Sequence, residues 1–261
     1  MADRITDNML RPAHGAATAA LLVVAACAVA PPAAPPAANG IDPAAFSTAV
    51  VGAGVPPGWT NYRLMRLKRP TRYHLVEIDG MVALEATAEA SASGLQHAVT
   101  VDVREFPWIS WSWKVPQLID GADHSLEHVE DSPARVIVTF EGERDALPDH
   151  EKINYDLALA ITGNRLPYAT LMYVWGNRVP EGEIITHPRS TRVKMIVAAS
   201  GERDLGRWLH ERRNVREDYR RAFGEEPPRV KGVGIMSDSD NTGATVKAFF
   251  GDIRFSHARP R

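Results

Sequence analysis

Residues 108–115, WISWSWKV, alternate between apolar and polar side chains from Ile109 onward. Ile109, Trp111, Trp113 and Val115 therefore fall on one side of an extended chain, and the polar side chains fall on the other. A period of two is typical of a β-strand with one face in a core. We therefore predict that Trp111 and Trp113 are core residues of a sheet.

Similar short runs recur along the chain, bounded by Gly, Asp or Ser. They are residues 73–78, 82–87, 98–103, 134–140, 168–175, 193–199, 230–236 and 246–255. One short helix is predicted at about 214–223, because Asn214 can cap its first turn and Gly224 can end it. A weaker helical pattern covers 153–160. About ten strands with one short helix predict an all-β fold, a jelly-roll-like β-sandwich.

The N-terminus reads as a signal peptide, residues 1–27. Arg4 and Arg11 precede an apolar run at 16–26 that is short for a membrane span and typical of a signal-peptide core. The tetrapeptide VAAC, which ends at Cys27, also resembles a lipobox, in which the cysteine is lipidated. A secreted protein and a lipoprotein both remain open. We expect an exported protein, periplasmic or lipid-anchored to the bacterial envelope, that meets the membrane only through this anchor.

Residues 28–45 are rich in Pro and Ala and predict an extended linker, which leaves residues 46–261 for the β-sandwich domain. Cys27 is the only cysteine, so the mature domain has no internal disulfide, thiol nucleophile or cysteine zinc site. The 30 Lys and Arg residues nearly balance 32 Asp and Glu residues. Without a basic block, nucleic acid is not an expected partner.

Residues 124–128, HSLEH, match the inverted zinc-protease signature H-x-x-E-H. That signature requires a helix, so that both histidines can reach one ion. Gly121 and Pro133 flank the pentapeptide, and it lacks an apolar stripe. It is therefore predicted to be a loop between two strands, and no zinc site is assigned to it.

Residues 237–243, SDSDNTG, gather oxygen ligands between two predicted strands. Asp238, Asp240 and Asn241 are candidate calcium ligands. Phe249 stands where an EF-hand needs a bidentate glutamate, so this is not an EF-hand. The alternative is an Asx-rich turn whose side chains bind their own backbone. No other cofactor is expected.

Four further positions are candidates for ligand contact. Trp175, together with Trp108, is a candidate for a ligand-facing aromatic surface. Asp131 and Arg135 lie at the entry to a predicted strand, where they can form a local ion pair or the polar floor of a site.

Several stretches together resemble a bacterial family catalogued as domain of unknown function 3047. They are VPPGW, WSWKV, DSPARVIVTF, RNVREDYRRAFG, GIMSDSDNTG and FFGDIRF, and the resemblance covers about Phe46 to Phe255. It implies an exported protein with a jelly-roll domain similar to carbohydrate-binding sandwiches. It also implies polar family positions at Asp131, Arg135, Asn214, Asp218, Asp238, Asp240 and Asn241. Of these, Asp131, Arg135, Asn214 and Asp218 are candidate ligand contacts. HSLEH matches no motif of the family.

These features predict a non-catalytic module of the bacterial envelope that binds a glycan or another polar ligand. One alternative is a hydrolase or lyase acting on polysaccharide, with Asp or Glu as acid and base. Another is a structural or assembly protein of the envelope, which an exposed apolar patch would favour.

Overall fold

A computed structural model describes residues 40–52, 54–63, 67–163 and 165–259. They form thirteen β-strands and two α-helices within one unit, Ala38–Arg261. The strands are β1 (Gly40–Ala44), β2 (Trp59–Arg63), β3 (Arg72–Ile78), β4 (Met81–Glu89), β5 (Ala92–Val101), β6 (Trp108–Lys114), β7 (Ser132–Phe140), β8 (Ala169–Gly176), β9 (Ile184–Thr186), β10 (Val193–Ser200), β11 (Trp208–Asn214), β12 (Val230–Asp238) and β13 (Thr245–Ser256). The helices are α1 (Asp149–Thr162) and α2 (Val215–Phe223).

The strands form two sheets that pack face to face. The first has the order β11-β6-β13-β4-β3, with β1 also paired to β13, and the second has the order β2-β5-β12-β7-β8-β10-β9. Neighbouring strands are antiparallel except for the parallel pair β8 and β10. The predicted all-β, jelly-roll-like β-sandwich is confirmed.

Strand β6, which carries WISWSWK, lies between β11 and β13 in the first sheet. Trp111 and Trp113 are buried, as predicted. Both point towards the other sheet: the ring of Trp111 lies 4.8 Å from that of Tyr173, and the ring of Trp113 lies 5.9 Å from that of Trp175. Alternation in the sequence therefore places an aromatic layer between the sheets.

The N-terminal boundary of the sandwich differs from the prediction. Residues 40–44 form β1, which pairs with β13 through Gly40 opposite Ser256 and Ile41 opposite Phe255. The predicted linker at 28–45 therefore extends too far. The strand was not predicted because it contains Pro43, and proline is rare in sheets except at edges and at bulges such as the one in β1. The predicted signal peptide and Cys27 lie outside the described residues, within which no helix is both long and apolar enough to cross a bilayer.

Helix α2 is close to the predicted range. The side chain of Asn214 accepts a hydrogen bond from the backbone N–H of Glu217 at 3.1 Å, and Gly224 ends the helix at a φ of 74°. The prediction of a single helix was incomplete, because the weaker pattern at 153–160 belongs to the 14-residue helix α1.

The N-cap of α2 generates a stability prediction. Asn214→Ala removes the acceptor for the Glu217 N–H, so we expect the free energy of unfolding to fall by about 1 kcal/mol. Asn214→Ser keeps an acceptor and should cost clearly less. Chemical denaturation of both variants measures the difference, and equal losses would show that the cap bond is unimportant.

Candidate functional site

Five of the predicted site residues meet at one end of the sandwich. Strands β7 and β12 are antiparallel neighbours, and the first residue of β7, Ser132, lies opposite the last residue of β12, Asp238. The loop that precedes β7 and the turn that follows β12 therefore lie side by side. This pairing brings together Asp131, Arg135, Asp238, Asp240 and Asn241.

Arg135 forms the base of this polar network. Its guanidinium is buried, with Nε donating to Asp238 Oδ1 at 2.8 Å and Nη2 donating to Oδ2 at 3.0 Å. Nη2 also donates to the carbonyl of Glu130. Burial raises the pKa of Asp238 to about 6, against the opposing effect of Arg135. The network is a bidentate ion pair that links two neighbouring strands.

Asp131 holds the acidic turn in place. Its buried carboxylate accepts hydrogen bonds from the backbone N–H groups of Asn241, at 3.2 Å, and Thr242, at 2.7 Å. The Thr242 hydroxyl donates a third bond at 2.7 Å. Asp131 therefore joins the loop before β7 to the turn after β12, a distance of 111 residues in sequence.

Asp131, Asp238 and Asp240 resemble a metal site in composition. One oxygen from each carboxylate lies within 4.8 Å of the others. Two of the three carboxylates, however, already have cations: Arg135 holds Asp238, and the Lys68 ammonium lies 2.6 Å from Asp240. Calcium needs several oxygen ligands that are free to turn towards it. This donor set does not fit calcium, because the protein's own side chains supply the positive charge.

HSLEH is a loop with a short 3-10 turn at Glu127–Val129, as predicted. His124 is buried, and neither ring nitrogen has a hydrogen-bond partner, whereas His128 is exposed. Burial, with a further effect of Arg135, lowers the pKa of His124 to about 3, so this ring is neutral. Glu127 pairs with Arg189. The pentapeptide thus does not offer its two histidines on a common face.

An open pocket of about 580 Å³ lies on the network. Its lining residues are all polar, and they come from HSLEH, from the loop before β10 and from the acidic turn: Glu127, His128, Arg189, Asp240 and Asn241. The Asn241 side chain donates to the carbonyl of Glu127 at 3.4 Å, which links the acidic turn to HSLEH. We call this feature the loop pocket.

The other three predicted ligand residues lie elsewhere. Asn214 caps α2. Asp218 is buried, where it accepts hydrogen bonds from Arg213 at 2.8 and 2.9 Å and from the Tyr173 hydroxyl at 3.1 Å. Trp175 is fully buried, and its indole donates to the carbonyl of Gly201. The prediction of a ligand-facing Trp175 was wrong, because this side chain is part of the core beside Trp113.

The sequence did not point to Arg189 or Lys68. It pointed to Glu127 and His128 only as parts of a zinc signature, and not as residues that line a pocket. Arg189 and Lys68 carry no local signal, because their partners are Glu127 and Asp240, far away in sequence. Only the fold brings them to the pocket.

The Arg135 network predicts a large stability effect. Arg135→Met leaves the Asp238 carboxylate buried without its cation, so we expect the free energy of unfolding to fall by roughly 3–5 kcal/mol. The double variant Arg135→Met/Asp238→Leu removes both charges and should recover most of this loss. Chemical denaturation of the parent, the single variant and the double variant at neutral pH measures these free energies of unfolding. A loss below about 1 kcal/mol for Arg135→Met would contradict the prediction.

A second perturbed carboxyl lies away from the loop pocket, on edge strand β11. Glu211 is opposite Trp111 in the register of β11 and β6. Burial raises the pKa of Glu211 from its ordinary value of 4.5 to about 7, against the effect of Arg213. The folded protein therefore takes up a proton at Glu211 over a pH range in which the unfolded chain has lost it.

This pKa shift predicts a pH-dependent stability. The free energy of unfolding should fall as pH rises from about 4.5 to about 7, because the folded state binds the extra proton in that interval. At about pH 8, Glu211→Gln should be more stable than the parent chain by about 1–2 kcal/mol, after allowance for partial solvent access. At about pH 4 the two should be equal. Exposed Glu143→Gln is the matched control, and a pH-independent difference would contradict the assignment.

Comparison with protein families gives one match. The family described as "Protein of unknown function (DUF3047)" matches residues 57–254. The chain belongs to this family. The resemblance found in the sequence is thereby confirmed. No curated protein matches the chain.

Several solved structures resemble this DUF3047 member. A family 11 carbohydrate-binding module of a cellulosomal cellulase of Clostridium thermocellum is 10% identical, with a TM-score of 0.41, covering 84% of this chain and 95% of that one. A family 29 carbohydrate-binding module is 9% identical, with a TM-score of 0.35, covering 85% and 94%. A family 11 xylanase from Neocallimastix patriciarum is 8% identical, with a TM-score of 0.32, covering 86% and 95%. At these identities the likeness concerns the fold alone.

Proposed function

We propose that this protein is a non-catalytic module that binds a glycan in the loop pocket. The observation that carries the proposal is the convergence of three separate loops on one open pocket lined entirely by hydrogen-bonding side chains. Its volume of about 580 Å³ lies in the range of small-molecule sites. A pocket lined by polar residues suits a ligand covered with hydroxyl groups.

The chemistry of the lining supports a polyhydroxylated ligand. Glu127 pairs with Arg189 and Asp240 with Lys68, but each carboxylate has about four lone-pair sites and can accept further hydrogen bonds. The Arg189 guanidinium has further donors, and the Asn241 amide both donates and accepts. Adjacent hydroxyls of a sugar ring offer the complementary donors and acceptors. Asp131 holds the turn that carries Asp240 and Asn241, so less conformational entropy is lost when a ligand binds.

The state of the carboxylates supports binding rather than hydrolysis. A glycosidase needs two carboxyls about 5–10 Å apart on either side of an accessible bond. The oxygens of Asp131, Asp238 and Asp240 lie within 4.8 Å of one another, and the first two side chains are buried. Asp218 is also buried and bonded to Arg213. Each of these carboxylates is occupied by a backbone or cationic partner.

The cellular setting is part of the proposal. The N-terminal arginines, the apolar run at 16–26 and Cys27 support export, with the sandwich either free in the periplasm or held by a lipid at the envelope. An envelope polysaccharide is then the ligand class that such a module would meet.

Titration of the purified full chain by calorimetry tests the function. The ligands are oligosaccharides prepared from neutral and acidic envelope polysaccharides, each measured with and without calcium. Arg189→Ala and Asn241→Ala should each weaken binding at least about tenfold, because each removes a direct contact. Arg203→Ala is the matched control, since Arg203 is exposed and pairs with Glu181 outside the pocket.

Two results would contradict the proposal. One is the absence of both heat and thermal stabilisation with every saccharide. The other is binding that Arg189→Ala and Asn241→Ala leave unchanged, which would place the ligand elsewhere on the chain.

A further inference from the structure

Helix α1 is attached to the sandwich by polar side chains. The buried Glu151 carboxylate accepts bonds from the Ser190 hydroxyl at 2.9 Å and from the backbone N–H of Thr191 at 2.6 Å. Asn154 donates to the carbonyl of Arg189 at 2.8 Å. One turn further, the Tyr155 hydroxyl donates to the carbonyl of Tyr168 at 2.8 Å. The side of the helix that faces the protein is therefore held by hydrogen bonds.

The opposite side of α1 is apolar and exposed. Ile153, Leu157 and Ile161 are 66%, 56% and 55% exposed. Their spacing of four places them in one stripe along the helix. A surface helix normally turns its apolar stripe to the core and its polar residues to water. Helix α1 does the reverse, which is typical of a surface that another molecule covers.

The stripe is symmetric in sequence about Leu157. Ile153 and Ile161 stand four residues to either side, and Asp149 and Arg165 stand eight residues to either side. Asp149 is 94% exposed and pairs with Lys152 of its own helix at 3.3 Å, and Arg165, which follows the left-handed C-cap Gly163 past the end of the helix, is also exposed. The pattern is thus acid, three apolar residues and base at a constant spacing. When a second copy of this segment runs in the opposite direction, each acid lies opposite a base and each apolar residue lies opposite an apolar residue.

We propose that α1 is the interface of a homodimer, in which a second copy of this helix packs antiparallel across a two-fold axis at Leu157. The axis places Leu157 against itself, Ile153 against Ile161 of the second copy, and Asp149 against Arg165 of the second copy. A two-fold interface requires a self-complementary surface, which this stripe is. Antiparallel packing also opposes the two helix dipoles favourably.

Charge argues against a lipid surface as the occupant. The exposed acids of helix α1 are Asp149 and Asp156, against a single lysine, Lys152. Helices that lie on anionic membranes carry Lys and Arg beside their apolar stripe. The acids of α1 would be repelled there, whereas the second copy offers Arg165.

Sedimentation equilibrium of the full chain tests the dimer. A single helix pair buries less than a standard interface, so we expect a dissociation constant in roughly the micromolar range. Leu157→Asp places a charge on the axis and should weaken the dimer at least about tenfold. Val50→Asp is the control, because Val50 is a similarly exposed apolar residue away from α1. Unchanged melting temperatures for both variants confirm that folding is intact.

Charge reversal adds a test that depends on antiparallel packing. Asp149→Arg and Arg165→Asp should each weaken the dimer by about threefold or more, because each creates two like-charge contacts. The double variant Asp149→Arg/Arg165→Asp restores opposite charges and should recover the parental dissociation constant.

Three results would overturn the proposal. The first is a parent chain that stays monomeric at concentrations of about 200 µM. The second is a dimer that neither Leu157→Asp nor the charge reversals affect. The third is co-sedimentation of the parent chain, but not of Leu157→Asp, with phosphatidylglycerol vesicles, which would make the stripe a lipid-binding surface.

Discussion

The guanidinium of Arg135 is buried at the end of a β-sandwich, and it has to be neutralised there. A charge of this kind is tolerated only when a counter-ion and hydrogen bonds replace its water. Asp238 supplies both from the neighbouring strand, and this fixes where β12 ends. The turn that follows starts from a defined point, so Asp131 can hold it through three hydrogen bonds. The loop pocket depends on this chain of contacts.

Much of the fold could be predicted from the sequence, because the inner faces of the sheets repeat with a period of two. WISWSWKV places Trp111 and Trp113 correctly for that reason. The same reasoning failed for Trp175, since β8 buries both of its faces: Val174 is as buried as Trp175. Periodicity does not separate core from surface in such a strand. Strand β1 was missed because Pro43 interrupts a segment of only five residues.

The candidate site was predicted in part. Asp131, Arg135 and the acidic turn were identified from local composition, and the register of β7 and β12 brings them together. Their roles could not be predicted, because whether a carboxylate binds a metal, a ligand or an ion-pair partner depends on which groups lie beside it in the fold. Asp240 resembles a metal ligand in SDSDNTG, but the ammonium of Lys68, far away in sequence, stands beside it. HSLEH matches a catalytic pattern, but its glutamate pairs with Arg189.

The short segment 189–191 serves two surfaces at once. Its backbone and hydroxyl groups bind Asn154 and Glu151 of α1, and the side chain of Arg189 lines the loop pocket. A ligand that moves Arg189 would also move the groups of 189–191 that hydrogen-bond α1. A molecule that covers α1 would, through the same hydrogen bonds, change the position of Arg189. If the loop pocket binds a saccharide and α1 binds a second copy, as proposed, their two binding free energies are linked through this segment, and such linkage is reciprocal. In a symmetric pair of chains, the first saccharide bound would change the affinity for the second without any contact between the two pockets.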